Sequence, residues 1–405
     1  MDQPHRNIRI TDYSYDLPGE RIARYPLTER DHSRLLVWDG SKITDSTFSM
    51  LPSFIDKDNM LVFNNTRVIR ARLLFRKESG ARIEIFCLEP HQPYDFAENL
   101  SSSDNVEWKC LIGNLKRWKT GQLEAPFMHQ GVPRTLYAER LRAEGDAFIV
   151  RFSWKDENIA FADVLEDIGH MPIPPYLGRD DEESDIADYQ TLYATVDGSV
   201  ASPTAGLHFT SSVLNALAAN GVQKTEITLH VSAGTFRPVK SELICDHMMH
   251  TEHFFVTADV LKSLIGKKIT AIGTTSVRAL ESLYWLGMKA SDGSLPEEEI
   301  PSVSQWDPYE HDNNAETDTS LTHLLRYMSD KGLDKIEAKT DIIIVPGYRF
   351  RLVNSMVTNF HQPRSTLLLL VAAFTGNKWK EIYDHALGSG YRFLSYGDSM
   401  LLKPA

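Results

Sequence analysis

The chain has 405 residues, 42% of them hydrophobic and 24% charged, with 43 basic and 55 acidic side chains for a formal net charge of −12. That is the composition of an ordinary folded protein of two or three domains, and it excludes a chain coated in positive field. The longest strongly apolar run, Leu367 to Phe374, is far short of the roughly 20 residues a membrane span requires, and Cys87, Cys110 and Cys245 lie too far apart for a zinc knuckle, a redox dithiol or a cysteine-ligated iron–sulfur cluster.

The first residues, MDQPHRNIRITDYSYDLPGE, lack a basic start followed by an apolar core, so no secretory signal or membrane association is expected and the cytoplasm is the default location. A strand-like MLVFNNT follows from Met60. Between Arg67 and Trp154 the segments VIRARLLFR, RIEIFCLE, VEWKCLIG, RTLYAERLR and AFIVRFSW are separated by turn-rich pieces such as KESGA, NLSSSDN and AEGD. This is the spacing of a small antiparallel barrel or sandwich. Asn158 to Gly169 reads as helical, and beyond it apolar strands alternate with helices. KITAIG, from Lys268, and TDIIIVPG, from Thr340, read as buried strands, the second stopped by Pro346 and Gly347. The expected architecture is an α/β main domain, residues 1–66 and 155–405, with an inserted all-β domain (a small barrel), residues 67–154, and with FNNTR as the hinge between them. Lys289 to Asp318 carries nine acids and one lysine and is expected to be a long exposed loop.

Charge is also uneven at the start of the β module. Arg67, Arg70, Arg72, Arg76, Lys77 and Arg82 face a single acid, Glu78, and Lys109, Lys116, Arg117 and Lys119 are interleaved with Trp108 and Trp118. Cations among aromatics suit a phosphate backbone with unstacked bases, and they equally suit a solvated strand face.

Three turns carry candidate chemistry. ASPTAGLHFT, from Ala201, sets His208 on a turn with Thr204, Gly206 and Thr210; TLHVSAGTF, from Thr228, sets His230 beside Gly234 and Thr235; TNFHQPRST, from Thr358, sets His361 beside Asn359 and Thr366. Loops at strand ends are where α/β proteins hold ligands. In KITAIGTTSVRALESLYW an apolar strand reaches Gly273, and Thr274, Thr275 and Ser276 stand where a helix begins, so free amides and the positive end of a helix dipole face any anion there. Arg278 is placed to clamp a carboxylate. Plain N-capping would explain the same hydroxyls. CDHMMHTEHF, from Cys245, crowds Asp246, His247, His250, Glu252 and His253, yet an extended segment divides them between two faces.

YDLPGERIARYP, FNNTRVIRARL, GHMPIPPYLGR, DYQTLYA, PTAGLHFT, TLHVSAGTFRPV, DHMMHTEHF, GTTSVRALES, VTNFHQPRSTL and YRFLSYGDSM occur in that order from about Asp16 to Met400. Together they resemble the S-adenosylmethionine:tRNA ribosyltransferase-isomerases of queuosine biosynthesis. The resemblance implies an α/β domain with an inserted barrel and an enzyme that moves the ribosyl part of S-adenosylmethionine onto 7-aminomethyl-7-deazaguanine at the tRNA wobble position. Epoxyqueuosine-tRNA would be the product, with adenine and methionine released. S-adenosylmethionine would be a consumed substrate, no metal would take part, tRNA would be the partner, and a monomer is the expected state. The chemistry needs a base beside the sulfonium; His208 is the first candidate and His361 the second, with His230 as a further catalytic histidine. Thr274, Thr275, Ser276 and Arg278 would hold the methionine carboxylate or the ribose, Asn359 and Asp398 the base or the departing adenine, and Arg67, Arg70, Arg72, Lys116 and Arg117 the tRNA backbone. Three positions depart from the family pattern: Arg364 stands where an acid is usual, and Ser202 and Ser232 replace glycine- or alanine-type residues. A metal-dependent hydrolase built on Asp246, His250 and Glu252, and a non-catalytic RNA-binding protein using the β module, are the competing readings.

Overall fold

A computed structural model describes residues 5–77, 79–232, 234, 238–310 and 315–404. Thr235, Glu78 and residues 311–314 of the acidic stretch lie outside the described residues.

Four strands at the centre of the main sheet, Gln223–His230, Asn59–Asn64, Lys268–Ile272 and Val353–Asn359, run parallel in that spatial order. Antiparallel strands flank them, Glu252–Thr257 on one side and Ser399–Leu402 on the other. Lys335–Thr340 and Ser302–Val303 extend one edge, and Arg34–Trp38 and Ile43–Thr47 the other, giving ten strands among the described residues. Asn59–Asn64, Lys268–Ile272 and most of Val353–Asn359 are buried continuously because helices cover both faces of the sheet. Met60 and Val62 of one strand pack with Leu280 and Leu283 of the helix Thr274–Asp292, while Leu61 and Phe63 between them pack with Phe209 and Leu217 on the opposite face.

The second unit is a six-stranded antiparallel sheet whose first and last strands, Arg72–Arg76 and Leu123–His129, come back together into a nearly closed barrel. Its core holds Trp108, Trp118, Phe152 and also Phe161 and Leu165 of the helix Phe161–Ile168, so the barrel's packing continues past residue 154. The expected mixture of an α/β body and a small barrel is thus present.

Several local expectations need correction. FNNTR is not a free hinge: Asn64, fully buried, donates to the Leu229 carbonyl at 2.9 Å and accepts from the Leu229 and Thr66 amides. Thr66–Val68 then pairs in parallel with Val196–Ser199. Each such bond contributes about 1 kcal/mol and leaving the buried amide unpaired costs more. The strand expected in TDIIIVPG ends at Thr340, where Lys335–Thr340 finishes; Ile342 to Val345 are buried without joining a ladder, and the Asp341 and Ile343 amides donate to the carbonyls of Val303, the last residue of its short strand, and Gln305 beyond it. The acidic stretch is partly structured: the helix Thr274–Asp292 runs into it, Ser302–Val303 joins the sheet, and Lys289 bridges to Asp307 at 2.6 Å.

Candidate active site

The carboxyl ends of the central parallel strands open onto a cleft with about 630 Å³ of empty space, counting its mouth. Three segments build it. The short helical turn Thr204–His208 brings Pro203, Thr204 and Ala205; the turn into the helix Thr274–Asp292 brings Gly273, Thr274 and Thr275; and the end of Val353–Asn359 with the loop after it brings Thr358, Asn359, His361 and Gln362. A Cβ at Gly206 would lie 1.9 Å from the Tyr193 hydroxyl oxygen, so any side chain there would displace the buried Tyr193. Gly273 takes φ +92°, which lets the strand turn directly into the helix with no side chain capping its first amides.

His361 stands on the cleft wall, half-buried. Its backbone is held from both sides: Tyr15 donates to its carbonyl, and its amide donates to the Tyr383 hydroxyl at 3.1 Å. The Thr358 hydroxyl lies 2.9 Å from Nε2, and Nδ1 makes no hydrogen bond among the described residues. Burial pushes this histidine down to about 3, so it is neutral at any working pH.

His208 is placed differently. It does not line the cleft but sits behind Asn359, 4% exposed. Thr204 donates to Asn359 Oδ1 at 2.9 Å, which turns the amide nitrogen of Asn359 toward His208 Nε2 at 3.2 Å; the imidazole therefore carries its proton on Nδ1 and donates to Ser33 Oγ at 2.9 Å. Burial lowers it to about 4, with Asp398 opposing the shift. Both ring nitrogens are occupied, and the residue they orient is Asn359.

The remaining expected site residues divide. Thr274, Thr275 and Asn359 line the cleft; Ser276, Arg278, Asp398 and His230 do not. Ser276 donates back to the Ile272 carbonyl. Arg278, 3% exposed, has its guanidinium bound to Glu252 at 2.6 Å and to the carbonyls of Ile342, His250 and Thr340, so it has no donor to offer a substrate carboxylate. The same contacts use Glu252 and His250 to hold a guanidinium, where the metal reading required them as ligands. Asp398 accepts from the amides of Arg34 and Arg392 and from the Arg392 side chain. His230 stacks on Phe96 with centroids 4.0 Å apart and lines a separate cavity with Asp95, Thr228 and Phe255, between the barrel's helix Phe96–Ser101 and the sheet. Burial pushes it down to about 3.

The cleft also takes in residues that the sequence left unassigned: Tyr176, whose hydroxyl meets Ser395 Oγ at 2.5 Å, Gln362, Ser365 and Ser202. Ser202 is 3% exposed and its hydroxyl has no hydrogen-bond partner among the described residues, a state that costs about 1–3 kcal/mol in a folded protein. Its one signal in the sequence was its departure from the family pattern. Of the other departures, Ser232 accepts from the Gly234 amide, and Arg364, exposed at φ +56°, bonds Ser14 away from the cleft.

The basic residues also separate. Arg67 and Arg70 line a groove between barrel and body with about 1130 Å³ of empty space, counting its open mouth, floored by Leu165 and Met171. Lys116 and Arg117 are exposed on the turn Leu115–Arg117. Arg72 is committed to Glu84 at 2.9 Å and to Asp181. Trp108 and Trp118 are fully buried in the barrel core and are closed to base stacking.

Residues 10–402 match the family model described as queuosine biosynthesis protein. Among solved structures, the chain is similar to the crystal structure of an S-adenosylmethionine tRNA ribosyltransferase from Thermotoga maritima, with 28% identity over 96% of this chain and 99% of that one and a TM-score of 0.45. Among the described residues no helix is long and apolar enough to cross a membrane.

Proposed function

We propose, from the premise that this chain belongs to the queuosine biosynthesis protein family, that it is an S-adenosylmethionine:tRNA ribosyltransferase-isomerase. It transfers and isomerises the ribosyl moiety of S-adenosylmethionine onto 7-aminomethyl-7-deazaguanine at the tRNA wobble position, in the cytoplasm. The products are epoxyqueuosine-tRNA, adenine and methionine. The observation that carries this reading is the cleft at the strand ends, where a neutral imidazole, a fixed carboxamide and uncapped helix amides meet without any Lys, Arg, Asp or Glu side chain on the wall among the described residues.

The first step is loss of a proton from the ribose carbon beside the sulfonium. The positive sulfur acidifies that carbon; the net change joins the sugar's carbon skeleton to the exocyclic aminomethyl nitrogen, which gives up a proton, while methionine leaves with the electrons of its C–S bond and adenine with those of its glycosidic bond. The carbon acid is weak, so the base must be held against it in a dry site, where positioning supplies up to about 7–11 kcal/mol and a general base about 10²–10⁴-fold. His361 is the base in this reading, through Nδ1 with the proton on Nε2, because it lines the cleft and Nδ1 makes no hydrogen bond among the described residues, while both nitrogens of His208 are engaged. His208 and Thr204 are positioning residues: between them they set the Asn359 carboxamide, whose exposed edge meets the nucleoside or the incoming base. Thr274 and Thr275 meet the polar end of the substrate. The tRNA runs along the groove bearing Arg67 and Arg70 and reaches Lys116 and Arg117 on the barrel.

Incubation with S-adenosylmethionine and tRNA bearing the aminomethyl deazaguanine, followed by chromatography, should release adenine and methionine in equal amounts. Tight tRNA binding with no adenine released would reject the activity in favour of an RNA-binding role.

A further inference from the structure

We propose that Ser202 is a substrate-binding residue: its hydroxyl and the first amides of the helix Thr274–Asp292 form an uncharged cradle for the α-carboxylate of the sulfonium substrate. This rests on the transferase reading above and commits the cleft's polar end to one group of that substrate.

Two independent observations meet here. The helix is 19 residues long, its N-cap is Gly273, and no side chain caps it, so its leading N–H groups and the positive end of its dipole are open to the cleft. Ser202 reaches the same cleft from the segment leading into Thr204–His208, and its hydroxyl is nine-tenths buried with no partner in the fold. A buried hydroxyl is normally satisfied; this one, enclosed at the cleft wall without a partner among the described residues, turns to what binds there. The chemistry of the donors then selects the group. Backbone amides only donate, and a carboxylate only accepts, whereas ribose hydroxyls need acceptors as well. No Lys or Arg side chain lines the cleft among the described residues, and Arg278 is bound to Glu252. The negative charge is therefore met by the helix terminus and by neutral donors, of which Ser202 is the one buried without a partner of its own.

The test compares S-adenosylmethionine with its decarboxylated analogue, which keeps the sulfonium, ribose and adenine. Wild type and Ser202→Ala are titrated with each by calorimetry, with and without unmodified tRNA. Loss of a hydrogen bond to a charged group should weaken S-adenosylmethionine binding to the variant about 10-fold. The analogue should bind wild type more weakly than S-adenosylmethionine does and lose nothing further in the variant, whose thermal midpoint should be no lower than wild type's because no native bond is removed. Equal loss for both ligands, or none for either, would overturn the cradle and leave the transferase reading standing. If wild type binds neither ligand in either condition, the transferase reading falls and the cradle with it.

Discussion

The Arg278–Glu252 pair separates a structural cation from a substrate clamp. Arg278 Nη1 lies 2.6 Å from Glu252 Oε2, both side chains are at most 3% exposed, and Nε donates to the Ile342 carbonyl at 3.0 Å. Replacing Glu252 by Gln leaves a guanidinium buried without its counter-charge. Removing one partner of such a pair costs about 3–5 kcal/mol, at least about a fifth of a typical folding free energy of about 5–15 kcal/mol. Arg278→Met should cost a similar amount, since it strands the carboxylate instead. The double variant Arg278→Met/Glu252→Leu removes both charges together and should come back to within about 2 kcal/mol of wild type, because two well-packed apolar side chains often replace a buried ion pair at little cost. The coupling between the sites is then several kcal/mol. Urea unfolding at fixed pH measures it, and the Michaelis constant for S-adenosylmethionine on the folded double variant measures the other role. Full stability in Arg278→Met, with a tenfold rise in that constant and none in Glu252→Gln, would show that Arg278 serves the substrate and that the reasoning from its contacts is wrong.

Other outcomes follow from the same contacts. His361→Asn should lower the rate of adenine release by about 10²–10⁴-fold with tRNA affinity unchanged, whereas His208→Gln should keep more of it; the reverse order would return the base to His208. His208 and His230 are pushed down to about 4 and about 3 in the folded state against about 6.5 when unfolded. The unfolded chain therefore takes up protons first, stability is complete above about pH 6.5 and falls as pH drops below it, by about 2 kcal/mol per histidine at pH 5. Urea midpoints from pH 7 to pH 5 should decline accordingly, and His230→Phe should shallow the slope; a flat profile would contradict the burial argument. Lys116→Glu or Arg117→Glu should reduce the salt slope of tRNA binding by about one charge's worth, and Arg72→Glu should lower thermal stability instead because its guanidinium is held by Glu84 and Asp181. Equal salt slopes for wild type and the Lys116 and Arg117 variants would remove that turn from the interface.

Where one strand's own alternation carried the information, the sequence was legible. In VEWKCLIG, Val106, Trp108 and Cys110 are fully buried and Lys109 between them pairs with Glu89 and Glu144. That period of two already set Trp108 on the opposite face from the cations it was grouped with. The strand Leu123–His129 escaped notice because Pro126 interrupts LEAPFMH, yet it is the last strand in the barrel's ladder, where a proline costs no bond. The strand–turn–helix at Lys268–Asp292 was legible because Gly273 and three hydroxyls punctuate an apolar run. What local pattern could not supply was the partner of each charge. Arg278 looked available in its own helix, and the acid that holds it lies 26 positions away on another strand.

The histidines follow the same division. His208 stands in a short helical turn and His361 just past a strand, as the glycine and proline punctuation indicated, whereas His230 is the last paired residue of its strand, and there the register of a single residue decides which side of the sheet it serves. At the end of Gln223–His230, Val231 lines the cleft at the strand ends and His230, one position earlier, lines the cavity against the barrel. Neighbouring residues on extended chain point to opposite faces. The apolar Ile227, Leu229 and Val231 belong to the sheet's main core, so the polar Thr228 and His230 had to face the other way. In TNFHQP the ladder ends with Thr358 and Asn359, paired with Met400 and Ser399, and Phe360 and His361 just beyond it join them on the cleft wall. A histidine becomes available for chemistry in this fold where pairing stops, and remains a packing element where the ladder continues.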